Sequence, residues 1–225
     1  MGKKTIGTFL FLGFLLVVMT VTMPVTRLGS GFLVGEGQHV LTYHDLVKEA
    51  GVLKIKFPNE DDIAAEVVFT DPASNLAILK LKEMPKVKRL PLSISTKRLS
   101  LQGEQVFTLG YPWTNTLEDQ HVLIEGSARP ASMLIELKMP LNLVHSGSPL
   151  FNAQQEVTGM ILLEDHAKAA FPVKGSHHFA IPLLLLEKAL KAAKIDVSTH
   201  PVESFPSREE FIVKSRNNIV LIEAR

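Results

Sequence analysis

His145-Ser146-Gly147-Ser148-Pro149-Leu150 is the stretch of this chain whose residue types suit covalent chemistry. A serine among glycine and proline, just ahead of the apolar run Val157 to Leu163, sets a hydroxyl on a tight corner rich in main-chain amides. A nucleophilic serine needs that setting, because the amides lie where negative charge would develop on a substrate oxygen. Turn residues also make ordinary loops, so the chemistry depends on what reaches Ser146. His44 is one candidate base. His177-His178 offers two imidazoles for a metal, but neighbours on a strand face opposite ways and do not share one ion. No metal and no other cofactor is expected. His145 reads as a turn residue, and Glu164, Asp165 and His166 read as a solvated loop after a strand.

The whole chain has 225 residues, 46% of them hydrophobic, which suits one compact domain or two small barrels sharing an interface. With 24 basic and 23 acidic residues the net charge is +1, and no basic block exceeds two residues, which argues against nucleic acid as a partner. The absence of cysteine excludes disulfides, thiol catalysis and cysteine-based zinc sites.

Lys3 and Lys4 precede an uncharged run from Thr5 to Val25, the pattern of an export signal or a single membrane-spanning helix. Thr20-Val21-Thr22 is a poor cleavage site, so an uncleaved anchor over residues 5–25 is expected, lysines inside and domain outside. From Gly29 onward, short strand-like runs alternate with turns, as in all-β barrels. Phe32–Val34, His39–Thr42, Val52–Phe57, Ala65–Phe69 and Leu76–Leu81 predict a first barrel over about 26–84. Glu83 to Arg89 reads as a solvated crossing. Gln105–Leu109, His121–Glu125, Met133–Leu137, the serine turn, Val157–Leu163 and His178–Ile181 predict a second barrel over about 95–182. Leu183 to Lys194 has no breaker and predicts a packed helix. Residues 196–225 are left as a C-terminal tail.

Five ordered segments carry a resemblance. They are Gly29-Ser30-Gly31-Phe32, Leu41 to Val47, Thr70 to Lys80, Ser146 to Leu150, and Phe179-Ala180-Ile181-Pro182. In that order the chain resembles the HtrA (DegP) branch of the trypsin-like serine proteases from about Val17 to about Lys194. The resemblance implies an all-β fold of two six-stranded barrels with a C-terminal helix, in an extracytoplasmic, periplasmic setting. It also implies a strand before Gly29, for which Val17 to Val25 is the only material, although that stretch overlaps the anchor. The 196–225 tail is too short for the PDZ domain that commonly follows.

The same resemblance places Ser146 at the nucleophile position, Asp45 where the family has its histidine, and Asn75 where it has its aspartate. Val144 falls at the oxyanion-hole glycine, Ser148 at the second glycine after the nucleophile, and His178 at a glycine along the specificity pocket. A carboxylate of ordinary pKa about 3.9 is a poor base for a serine hydroxyl, and an amide carries no charge to steady an imidazolium. These departures imply a catalytically inactive pseudoprotease, a binding or scaffolding module for an extended peptide or another protein. The peptide would pair along Leu162-Leu163-Glu164. An active endopeptidase using Ser146 with His44 is the alternative, and a metal-binding module on the same fold a weaker one. The oligomeric state is left open.

Overall fold

The computed structural model describes residues 25–58, 60–87, 89, 92–99, 103–110, 121–171, 178–196 and 207–225. The anchor residues 5–24, the strand material before Val25, and His177 lie outside them. Among the described residues no helix is long and apolar enough to cross a membrane.

Two closed barrels of six antiparallel strands make up the fold. The first contains β1 (Arg27–Val34), β2 (His39–Tyr43), β3 (Leu53–Lys56), β4 (Ile63–Asp71), β5 (Leu76–Leu81) and β12 (Ile219–Ala224), in the spatial order β1-β12-β3-β4-β5-β2. The second contains β6 (Glu104–Gly110), β7 (Val122–Ala131), β8 (Leu134–Lys138), β9 (Pro149–Phe151), β10 (Val157–Leu162) and β11 (His178–Pro182), in the order β10-β11-β8-β7-β6-β9. The predicted strands are all present, most with ends shifted by a residue or two, while β1 begins at Arg27 rather than Phe32 and β7 ends at Ala131 rather than Glu125. Their alternation explains the pairing: in β3, Leu53 and Ile55 are buried while Lys54 and Lys56 are half-buried. β5 and β10 are buried along nearly their whole length, since each has packing on both faces.

Among the described residues there are also four α-helices: α1 (His44–Val47), α2 (Glu164–Ala170), α3 (Leu183–Ala192) and α4 (Arg208–Ser215). α3 is the predicted packed helix, with Leu183, Leu186, Ala189 and Leu190 buried.

The tail reading of residues 196–225 is corrected. β12 lies between β1 and β3, pairing with Arg27–Phe32 on one side and Leu53–Lys56 on the other, and all six of its residues are buried. The strand that the sequence seemed to lack therefore comes from the other end of the chain. Ile219-Val220-Leu221-Ile222 is a continuous β-branched and apolar run, suited to a strand covered on both faces. The reading of Glu83–Arg89 as a solvated crossing is corrected at Arg89. Its side chain is 3% exposed, is ion-paired to a Glu60 that is 4% exposed, and its Nε donates to the Asn217 carbonyl at 2.6 Å. The guanidinium lies 4.4 Å over the Phe57 ring.

Candidate functional site

The serine turn is held against the first barrel by main-chain bonds. Ser30 of β1 donates its amide to the Ser146 carbonyl at 2.8 Å and its hydroxyl to the Val144 carbonyl, and Thr42 Oγ1 donates to the Ser30 carbonyl at 2.8 Å. Gly147 has φ +91°, and a Cβ there would run into the Ser30 carbonyl. The Ser30 segment thus fixes the turn, and Gly147 is the residue that lets the two backbones approach.

Within the turn, Leu143–His145 form a short 3-10 turn. The amides of His145, Ser146, Gly147 and Ser148 donate to the carbonyls of Asn142, Leu143, Ile161 and His145, at 3.0, 3.4, 2.9 and 3.0 Å. Amides consumed this way are not aimed at a substrate oxygen. His145 is 1% exposed, with Nδ1 accepting from the Asn142 amide at 3.0 Å. Burial holds its pKa below the ordinary value. It is a turn residue, facing Asn142 and Gly110 rather than the Ser146 hydroxyl.

Ser146 is fully buried, and its Oγ accepts the Leu163 amide at 3.0 Å. No hydrogen bond joins Ser146 to His44 among the described residues. His44 instead opens α1, its amide donating to the Asn75 carbonyl at 3.1 Å.

Asp45 and Asn75 form a matched pair. Asn75 follows the 3-10 turn Pro72–Ser74, which the Asp71 carboxylate caps, and sits at φ 49°, ψ 44°, a left-handed conformation that asparagine tolerates. Its Oδ1 accepts the Asp45 amide at 2.9 Å while its Nδ2 donates to Asp45 Oδ2 at 3.0 Å and to the His166 carbonyl at 3.1 Å. An aspartate at position 75 would accept from the first amide but donate to neither oxygen. Lys48 Nζ reaches the other Asp45 oxygen at 2.8 Å. Asp45 and Asn75 thus satisfy each other, and no hydrogen bond joins either to Ser146 among the described residues.

The third member of the Asn75 network is where the sequence reading fails. Glu164, Asp165 and His166 are not a solvated loop but the first turn of α2. The helix runs from the end of β10 to the first barrel, with Ala167 fully buried, Phe171 6% exposed, and the His166 ring 4.7 Å from Tyr43. Burial lowers the His166 pKa against the upward pull of Asp45 and Asp165, and burial also raises that of Tyr43. The Glu164 to Ala170 sequence, with acidic residues first and alanines and lysine after, carried the helix signal.

The run expected to pair with a peptide leads into α2. Leu162 pairs with Phe179 of β11, Leu163 donates its amide to Ser146 Oγ, and both are buried. His178, on β11, is half-buried and pairs with Leu137. Among the described residues no group of three metal-ligating side chains converges.

The comparisons with known proteins agree with this architecture. A family model described as a trypsin-like peptidase domain matches residues 29–160. A probable periplasmic serine endoprotease, DegP-like, of Pseudomonas fluorescens is 30% identical over 140 residues, 59% of this chain and 28% of that protein. An uncharacterized protein of Sinorhizobium fredii is 24% identical over 180 residues, 77% of this chain and 28% of that protein. The chain thus spans well under a third of the curated relatives it matches. The crystal structure of the serine endoprotease from Yersinia pestis superposes with a TM-score of 0.61 at 21% identity, over 77% of this chain and 59% of that one, a likeness of fold. The family match extends from the β1 glycines through the serine turn into β10, over more than half of the sequence, and the chain belongs to the trypsin-like peptidase domain family.

Proposed function

We propose that this HtrA-like domain is a pseudoprotease, a non-catalytic module that binds or scaffolds another protein outside the cytoplasm. The observation that carries the reading is the Ser146 hydroxyl, fully buried and occupied as an acceptor for the Leu163 amide. A nucleophile needs a base within about 3 Å and an open approach to the scissile carbonyl. The Asp45–Asn75 pairing and the turn whose amides are already bonded support the same reading. Glu164 opens α2, so a peptide paired along Leu162-Leu163-Glu164 would have only Leu162 and Leu163 in extended backbone to pair with.

The extracytoplasmic setting is supported by the DegP-like relatives, which are named periplasmic. The uncharged run over residues 5–25 behind Lys3 and Lys4 supports a membrane anchor. A chain so anchored stays with membranes after a carbonate wash, whereas recovery of a soluble form starting near Met23 would mean that the run is a cleaved signal.

The activity test is cleavage of unfolded casein by the full chain beside Ser146→Ala. No cleavage above the Ser146→Ala background is expected. Cleavage abolished by both Ser146→Ala and His44→Ala would establish the active alternative instead.

A further inference from the structure

We propose that the gap between β1 and β3 in the first barrel is a strand-acceptor site, and that residues 207–225 of a second molecule of this chain occupy it as well as the chain's own. β12 is a late-sequence strand placed among early ones, and its ladders to Arg27–Phe32 and Leu53–Lys56 are main-chain pairings. Main-chain ladders, and the burial beneath them, are the same whichever molecule supplies the strand, which is why exchange of an identical element is a low-cost route to association. Without β12, two strand edges would stand open, and an open edge is a template for another strand.

The 207–225 segment has its own fixings, and the ones that define it go to the barrels. Ser207 Oγ caps α4 by accepting the Glu210 amide at 3.1 Å. Phe211 stands edge-on to Phe107 and Phe151 of the second barrel, at 5.4 and 5.1 Å between ring centroids. Arg89 holds the Asn217 carbonyl, and Lys56 holds Glu223 at 2.8 Å. The segment therefore docks on one barrel with its helix and completes the other with its strand. α3 ends at Ala192, and Lys194 just beyond it has φ 58°, so α3 and α4 are separate elements.

The test keeps the full chain. A recognition site for a specific protease replaces residues 199–204, the purified protein is cut there under native conditions, and a tenfold excess of isotope-labelled 207–225 peptide is added. Native mass spectrometry follows which segment each molecule carries. At equilibrium about ten in eleven cut molecules should carry the labelled segment, by mass action alone. A labelled peptide with Val220→Pro and Ile222→Pro should not enter, because each proline removes a ladder donor. Failure of the unmodified peptide to enter, equal entry of the proline peptide, or loss of the native segment with the unfolding transition unchanged would each overturn the proposal.

Discussion

At the scale of single residues, Asn75 explains the site more fully than Ser146 does. It is 1% exposed and makes three hydrogen bonds that require both an acceptor and a donor on one planar side chain. Asn75→Asp therefore should not move the domain toward catalysis. It should replace two donated bonds by repulsion from Asp45, at a cost on the order of 3 kcal/mol in urea unfolding at neutral pH. Two carboxylates at this distance share a raised pKa in the folded state. A group whose folded pKa is raised recovers stability as the pH falls, so the deficit of Asn75→Asp should shrink on acidification toward pH about 5. A deficit independent of pH would mean that the two carboxylates do not meet. Glu223 titrates the other way. The Lys56 hydrogen bond, with Arg225 beside it, holds its pKa below the ordinary 4.5. Its contribution is present above the unfolded value and is lost as the pH falls through the lower folded one. Thermal unfolding should thus show wild type above Glu223→Gln at pH 6, with the gap closing at acid pH.

At the scale of elements, three buried fixings tie the chain's end and the crossing to the barrels. Removing one partner of a buried ion pair leaves the other charge uncompensated, so Arg89→Ala, which strands Glu60 and frees Asn217, should cost about 3–5 kcal/mol. Phe211→Ala, opening a void between Phe107 and Phe151, should cost a similar 3–5 kcal/mol. Guanidinium unfolding measures both, and a change under about 1 kcal/mol in either would show that the chain's end is not seated as described. Element types were legible where periodicity or turn chemistry acts locally. Leu53-Lys54-Ile55-Lys56 reads as a strand and Leu183 to Lys194 as a helix without tertiary information. β12 was missed for a different reason. Ile219 to Ala224 has strand composition, and Ser207 with Glu210 is a helix-start signature, but both sit where the family order predicts nothing. α2 was missed because two acidic residues and a histidine read as exposed, whereas Asn75 and Tyr43 cover His166 from the facing barrel. A partner that far away in sequence leaves no local trace.

At the scale of the whole molecule, two closed six-stranded barrels meet at the serine turn, where Ser30 of the first barrel bonds to Ser146. The β1 glycines, the serine turn and the strand that follows are positioned as the fold requires, and the family match rests on them. Between the barrels, α2 runs from β10 to Asn75 and Tyr43, and Leu163 donates its amide to the serine hydroxyl. On the proposed reading the hydroxyl serves the structure. Ser146→Ala should leave a buried Leu163 amide without its acceptor and cost about 1–3 kcal/mol, a loss that a merely idle serine would not show. The central claim, that Ser146 is an acceptor within the fold and not a nucleophile, meets its most direct test in the intact mass of the native chain after prolonged exposure to a fluorophosphonate probe. The account predicts an unchanged mass, equal to that of identically treated Ser146→Ala apart from the substitution, and a stoichiometric adduct mapping to Ser146 would contradict it.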